Sequence, residues 1–192
     1  EGHKLEDVCS EGSSIEFSLD TIGKGMDELS KTWGKINNET SLIARFFRAI
    51  SEFMKGLFCT NTAPTTVIQS NQLEYFVNDM LKTFNAVGKY TQDIIDVVEK
   101  LLTEDSNLMS PIIAPHITFA GDLAEVLQNA VKHAAAYNIF IGSRVEIDGD
   151  ECPGMVIQGM KPSVAVHAVA EKARPVIITS GTFSPMDTFA SE

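Results

Sequence analysis

The sequence predicts a mostly α-helical fold that carries a small β-prone region towards its end. Between Leu29 and Ala134, apolar residues recur at intervals of three and four, the period of helices with one buried face. After Gly142 this period gives way to short β-branched runs around a turn. A hydrophobic fraction of 44% over 192 residues is sufficient for one domain with its own core.

The first helices are indicated by a stripe through Leu29, Trp33 and Ile36, followed by a second helix for which Asn38 is a suitable N-cap. The apolar face of that second helix carries Leu42, Phe46, Ile50, Phe53, Met54 and Leu57. A segment rich in Thr, Asn and Pro then predicts a loop from Thr60 to Ser70.

Two further helices are predicted beyond this loop. Asn71 with Glu74 resembles a capping pair, and the apolar stripe after it continues to Thr103, with Gly88 weakening the helix without ending it. Prolines predict an irregular connection from Ser106 to Phe119. Asp122 with Glu125 predicts the start of the last long helix.

The end of the chain is different in character. Val145–Ile147 and Met155–Gln158 are predicted strands, separated by the turn Asp148-Gly149-Asp150. A helix is expected from Ser163 to about Ala173, and Pro175–Thr179 is a continuous apolar run typical of a strand in a parallel sheet. Because one strand cannot bury both of its faces alone, this last strand predicts a sheet whose other strands lie elsewhere.

Charge and cysteine content limit the classes of function. A net charge of -11 argues against a general nucleic-acid clamp, since phosphate binding depends on clustered Lys and Arg. Cys9, Cys59 and Cys152 form no C-x-x-C pattern, which supports neither a disulfide framework nor a zinc site and fits a reducing compartment. The longest apolar runs are far shorter than the roughly 20 residues of a membrane span, so we expect a soluble segment.

The strand predicted at Pro175–Thr179 leads into a turn of small residues, where Ser184 can cap a helix that has Pro185 at its first position. Ligand sites of α/β sheets gather at such strand ends, although a simple capped turn explains the residues equally well. The segment Ser180–Pro185 (SGTFSP) resembles the SGTLSP motif of the XPD-like, or xeroderma pigmentosum group D type, superfamily 2 iron–sulfur DNA helicases, with Phe183 in place of the usual Leu. Among the branches of that family, the sequence looks closest to the Fanconi anaemia group J-like helicases, followed by the telomere-length-regulating ones.

The opening residues Glu1-Gly2-His3 resemble the end of the DEAH box of the same family, with Gly2 in place of Ala and Lys4 in place of a common Asn. The resemblance implies that Glu1 orients or deprotonates the attacking water and that His3 couples the nucleotide state to the motor. It also implies a motif that couples ATP to DNA, formed by Ser180, Gly181, Thr182, Ser184 and Pro185.

The resemblance also implies a domain plan. Residues 1–17 would end the DEAH-box segment of a RecA-like α/β motor domain, 18–142 would form a helical arch, 143–174 a β-bridge and return helix, and 175–192 the motif III-like strand and turn. The arch of the family forms one wall of the hole through which single-stranded DNA passes. Arg45 and Arg48 share a helix face and, with Lys55, are candidate DNA contacts, although a solvated helix face is the more common explanation of such a pair.

The function implied for the parent protein is ATP-dependent unwinding of DNA, 5′ to 3′, in nuclear DNA repair. Its cofactors would be ATP, Mg²⁺ and a 4Fe–4S cluster with ligands upstream of Glu1, and its partners would be single-stranded or forked DNA and repair proteins. The 192 residues hold no G-x-x-x-x-G-K-[ST] phosphate loop, so the chain alone is predicted to be inactive, and no metal site is expected in it.

The residues alone do not exclude two other classes of protein. An acidic helical module that binds other proteins would show the same apolar stripes. A small stand-alone enzyme built on Ser180 or on His116, His133 or His167 is the weaker alternative, since these histidines have no spacing typical of a triad or a metal site.

Overall fold

A computed structural model describes residues 14–32, 38–60, 66–104, 111–147 and 150–161 of the chain. The described helices are α1 (Leu19–Thr32), α2 (Asn38–Thr60), α3 (Ser70–Met80), α4 (Val87–Glu104) and α5 (Ala114–Lys132), with a 3₁₀ turn at Ala134–Ala136. The described strands are β1 (Ile15–Ser18), β2 (Thr66–Ile68), β3 (Tyr137–Ile147) and β4 (Asp150–Gly159). The predicted class, mostly α with a small β part, is therefore confirmed.

The four strands form one antiparallel sheet in the order β1-β4-β3-β2. Ile157 in β4 lies opposite Ile15 on one side and Ile139 on the other. In β3, Tyr137, Ile139 and Ile141 are buried whereas the residues between them are half-buried, so one face of the sheet packs on the helices. The first and last described strands are thus held together, with the helices between them in sequence.

Aromatic side chains join the helices to the sheet. Phe119 in α5 lies 5.9 Å from Phe17 in β1 and 5.9 Å from Phe47 in α2, measured between ring centroids. Phe17 and Phe47 are fully buried. Three elements that are distant in sequence therefore meet around one ring, and the burial of large apolar rings is a leading contribution to the stability of the core.

A reciprocal cap fixes the junction between β1 and α1. The backbone N–H of Thr21 donates to Oγ of Ser18 at 3.0 Å, and the N–H of Ser18 donates to Oγ1 of Thr21 at 3.3 Å. The two hydroxyls are also hydrogen-bonded to each other at 2.9 Å. Because these bonds satisfy donors that a helix start leaves unpaired, the chain can pass from strand to helix without a loop.

The long helix predicted after Asn38 is confirmed as α2, which begins at that residue. Phe46, Ile50 and Met54 of its predicted apolar face are fully buried. The predicted hairpin is confirmed as β3 and β4, which are longer than the two short runs seen in the sequence. A shift in register between Gly142 and Val145 divides this hairpin into two parts.

The prediction of one continuous helix from Asn71 to Thr103 is wrong, because a turn at residues 81–86 separates α3 from α4. Gly88, the residue suspected of weakening the helix, lies inside α4. The reversal occurs just before it, where Ala86 has a positive φ of 59° and Leu81 and Phe84 both turn into the core. The apolar stripe continued through the turn because these two residues are buried there.

Three other local predictions are corrected by the structure. Helix α5 begins at Ala114 and not at Asp122, because Pro115 occupies the first turn, where the missing N–H has no cost. Helix α3 begins at Ser70 after Gln69, with no side-chain cap, in place of the predicted Asn71–Glu74 pair. The predicted loop from Thr60 to Ser70 contains β2, which adds a strand to β3.

Some predictions fall on residues outside the described ranges. These are the helix at Ser163 to Ala173, the strand at Pro175–Thr179, the predicted motor-domain segment 175–192, and residues 1–13 of the predicted segment 1–17. The boundaries predicted at 17 and 142 fall inside β1 and β3, and all three boundaries, at 17, 142 and 174, remain predictions.

Candidate functional site

The residues predicted to act on ATP lie outside the described part of the chain. These are Glu1, His3, Ser180, Gly181, Thr182, Ser184 and Pro185. The predicted DNA contacts Arg45 and Arg48 are described, and both are exposed on α2. The candidate site that can be built from geometry is therefore the surface around these two arginines.

Arg45 and Arg48 line one open cleft of about 160 Å³. One wall is a face of α2 and also includes Ala49 and Glu52; the other wall is the turn between α3 and α4, with Thr83 and Phe84. We call this surface the Arg45–Arg48 cleft. It exists because the chain reverses at residues 81–86, so the helix break that the sequence did not reveal creates the second wall.

Arg45 is held in place by an aromatic stack. Its guanidinium carbon lies over the Phe84 ring, 5.1 Å from the centroid, within the range of a cation–π interaction. Phe84 in turn stacks on Tyr90, with centroids 3.5 Å apart and ring planes 11° apart. The Tyr90 hydroxyl donates to the carbonyl oxygen of Leu42, one turn before Arg45, at 3.2 Å. This arrangement fixes the turn against α2.

The charges of the cleft are incompletely paired. Among the described residues, neither arginine has a carboxylate oxygen within 4.0 Å of its guanidinium nitrogens. In contrast, Lys24 pairs with Asp20 at 2.6 Å on α1. Arg45, Arg48, Glu52 and Lys55 recur at intervals of three and four, so they share one exposed helix face. This face of α2, of which the cleft includes Arg45, Arg48 and Glu52, is thus a basic row interrupted by one carboxylate, on a chain that is acidic as a whole.

Tyr90, which stacks on Phe84 of the cleft, makes the free energy of unfolding depend on pH in the alkaline range. Burial raises the pKa of the Tyr90 phenol above its usual range, an effect that the nearby Arg45 cation opposes and Asp93 reinforces. Because ionisation is easier in the unfolded chain, the contribution of Tyr90 to the free energy of unfolding is complete below about pH 10 and is lost as pH rises beyond it. We expect Tyr90→Phe to show a smaller loss of stability between about pH 9 and pH 11, measured by urea unfolding. An equal alkaline loss in both proteins would contradict this.

The described ranges contain neither a metal-binding cluster nor a membrane-spanning helix. There, no group of three or more His, Cys, Asp or Glu side chains is arranged to hold a metal ion. No described helix is long and apolar enough to cross a membrane.

The chain is similar along its whole length to a curated helicase. It is 24% identical over 212 residues to the regulator of telomere elongation helicase 1 homolog of Arabidopsis thaliana. The match covers 100% of this chain and 20% of that protein, so the chain spans about a fifth of the relative's length. No family model matches the sequence. The similarity supports a helicase-related family without distinguishing among its branches.

The sequence pointed to Arg45 and Arg48 but not to the residues that surround them. Glu52 shares their helix face at an interval of four from Arg48, a signal that could have been read from the sequence. Thr83 and Phe84 could not, because they approach α2 only after the chain reverses.

Proposed function

We propose that this chain is an internal segment of an ATP-dependent DNA helicase of the group D type, acting in DNA repair and genome maintenance. The parent protein would move 5′ to 3′ along single-stranded DNA in the nucleus. Hydrolysis would use ATP with Mg²⁺, and a 4Fe–4S cluster would be bound upstream of Glu1. The Fanconi anaemia group J-like branch is part of this proposal, with the telomere-regulating branch as its alternative.

The pairing of β1 with β4 is the observation that supports this proposal most strongly. Ile15 lies opposite Ile157, and the backbone N–H of Gly159 donates to Oγ of Ser14 at 3.0 Å. Ser14 and Gly159, near the two ends of the described part, therefore lie side by side, although they are 145 positions apart in the sequence. An insertion between two motifs of one motor domain requires such adjacent attachment points.

The similarity to a helicase supports the same proposal, because it extends over the whole chain. In this proposal residues 18–142 are the arch and 143–174 the β-bridge and return helix, and β1 begins in the motor-domain segment that ends at residue 17. Glu1 and His3 act at the nucleotide, and the Ser180–Pro185 motif couples it to DNA. Single-stranded or forked DNA and repair proteins would be the partners.

Two measurements test the proposal together. The chain alone should show no ATP hydrolysis with or without single-stranded DNA, because it has no phosphate loop. The parent protein should hydrolyse ATP in a DNA-dependent manner, and Glu1→Gln in the parent should lower kcat at least about 100-fold, as expected when a base that positions the attacking water is lost.

Glu74→Gln is a matched control for Glu1→Gln, since it removes the same charge from an exposed position of α3. It should leave kcat unchanged. A parent that hydrolyses ATP equally well with Glu1→Gln, or a parent without any phosphate loop, would overturn the proposal.

A further inference from the structure

We propose that the Arg45–Arg48 cleft binds the phosphodiester backbone of a single nucleic-acid strand without stacking or reading its bases, and that Glu52 limits the strength of this binding. The inference rests on the proposed function, because nucleic acid is the ligand that a helicase offers.

The cleft has the chemistry of a phosphate site. Two exposed guanidinium groups lie three residues apart on α2, and neither is neutralised by a carboxylate in the described part of the chain. Guanidinium groups present fixed pairs of N–H donors that match phosphate oxygens. Contact with the Phe84 ring restrains Arg45, which lowers the entropy lost when it binds an anion. Thr83 adds a hydroxyl to the opposite wall.

The aromatic rings of the cleft are unavailable to bases. Proteins that bind single strands through bases present exposed ring faces for stacking. Phe84 is only 8% exposed, with Tyr90 stacked on it and Arg45 over it. Tyr90 is itself buried. The aromatic residues therefore position the arginine and cannot receive a base, so phosphate contact remains as the mode of binding.

The length of the basic row favours a strand over a single free anion. From Arg45 to Lys55 the helix rises about 15 Å, at 1.5 Å per residue, which is longer than one phosphate group. Glu52 lies between Arg48 and Lys55 on the same exposed face. A carboxylate in this position repels every phosphate that approaches the row. We therefore expect weak, salt-sensitive binding that removal of the Glu52 charge strengthens.

The test uses the 192-residue chain and fluorescence anisotropy with labelled oligothymidylate and with an abasic oligomer of equal length and backbone. Both strands should bind with similar Kd. Arg45→Ala together with Arg48→Ala should weaken both equally, and the slope of log Kd against log salt should fall by about 0.7 for each lost phosphate contact. Glu52→Gln should tighten binding of both strands.

Lys24→Ala is the matched control, since it removes one positive charge that is already paired with Asp20 on another helix. It should change neither Kd nor the salt slope. Circular dichroism should show that all variants are folded, as expected for substitutions at exposed positions.

The outcomes separate this inference from the proposed function. If the arginine variants weaken binding of oligothymidylate but not of the abasic strand, bases are contacted and the inference is wrong, whereas the proposed DNA-binding role stands. If the variants change neither, the cleft is not a nucleic-acid site at all. If poly-glutamate of equal charge competes as well as the abasic strand, the cleft accepts acidic peptides and its assignment to a nucleic-acid backbone fails.

Discussion

Replacing Phe47 by alanine should lower the free energy of unfolding by about 3 to 5 kcal/mol, the range for loss of a large buried aromatic side chain. Phe47 of α2 is fully buried, and its ring contacts both α5 and α1. It packs 5.9 Å from Phe119 in α5 and 6.2 Å from its neighbour Phe46. A methyl group at Gly25 of α1 would lie 2.8 Å from Cε2 of this ring, so the ring also rests directly on that helix.

Urea unfolding followed by circular dichroism measures the effect as a shift in midpoint at constant m-value. Phe47→Leu should cost less than Phe47→Ala, because leucine fills part of the space between the helices. Tyr75→Ala is the control: this aromatic residue on α3 is 82% exposed, and its loss should change stability by no more than about 0.5 kcal/mol. Equal effects at the two positions would show that the contacts around Phe47 do not hold α1, α2 and α5 together.

The helical half of this fold could be predicted because its information is local. The spacing of Phe46, Ile50 and Met54 indicates one buried face whatever that face contacts, and α2 follows it over its full length. The same reasoning failed at residues 81–86. Leu81 and Phe84 are buried as the stripe requires, but they are buried by a turn and not by a helix. The spacing of apolar residues indicates which side chains are buried, but it does not show whether the helix continues or the backbone turns.

The pairing of strands that are distant in the chain could not be predicted from the sequence. Nothing in the four residues of β1 indicates that they lie beside β4, because strand partners are chosen by contacts between distant segments. Prediction of the candidate site from the sequence is limited in the same way. Arg45 and Arg48 could be placed on one helix face, whereas the cleft around them depends on Thr83 and Phe84, which approach only through the tertiary fold.

The position of β4 in the sheet suggests where a single added methyl group would matter most. Gly154 lies opposite Ser18 on β1 and Gly142 on β3, in a central strand with neighbours on both sides. A Cβ atom there would lie 2.9 Å from the backbone oxygen of Phe17 and would also overlap Cδ1 of Ile147. The Ile147 side chain can rotate away, but the Phe17 carbonyl belongs to the β1 backbone and cannot move without disturbing the pairing of β1 with β4.

Gly154→Ala should therefore lower the free energy of unfolding by about 2 kcal/mol, within the range for overpacking a close contact. Gly23→Ala provides a control of opposite sign. Gly23 lies inside α1 with no atom within 4 Å of an added Cβ, so alanine there should raise the free energy of unfolding by up to about 1 kcal/mol through its better helix propensity. Both values follow from urea unfolding of the two variants.

Hydrogen exchange should locate the Gly154→Ala effect in β1 and β4, because these strands carry the displaced contact. A Gly154→Ala protein as stable as the wild type would mean that β1 tolerates displacement from β4. The adjacency of β1 and β4, from which the helicase proposal takes its main structural support, would then not depend on the close contact at Gly154.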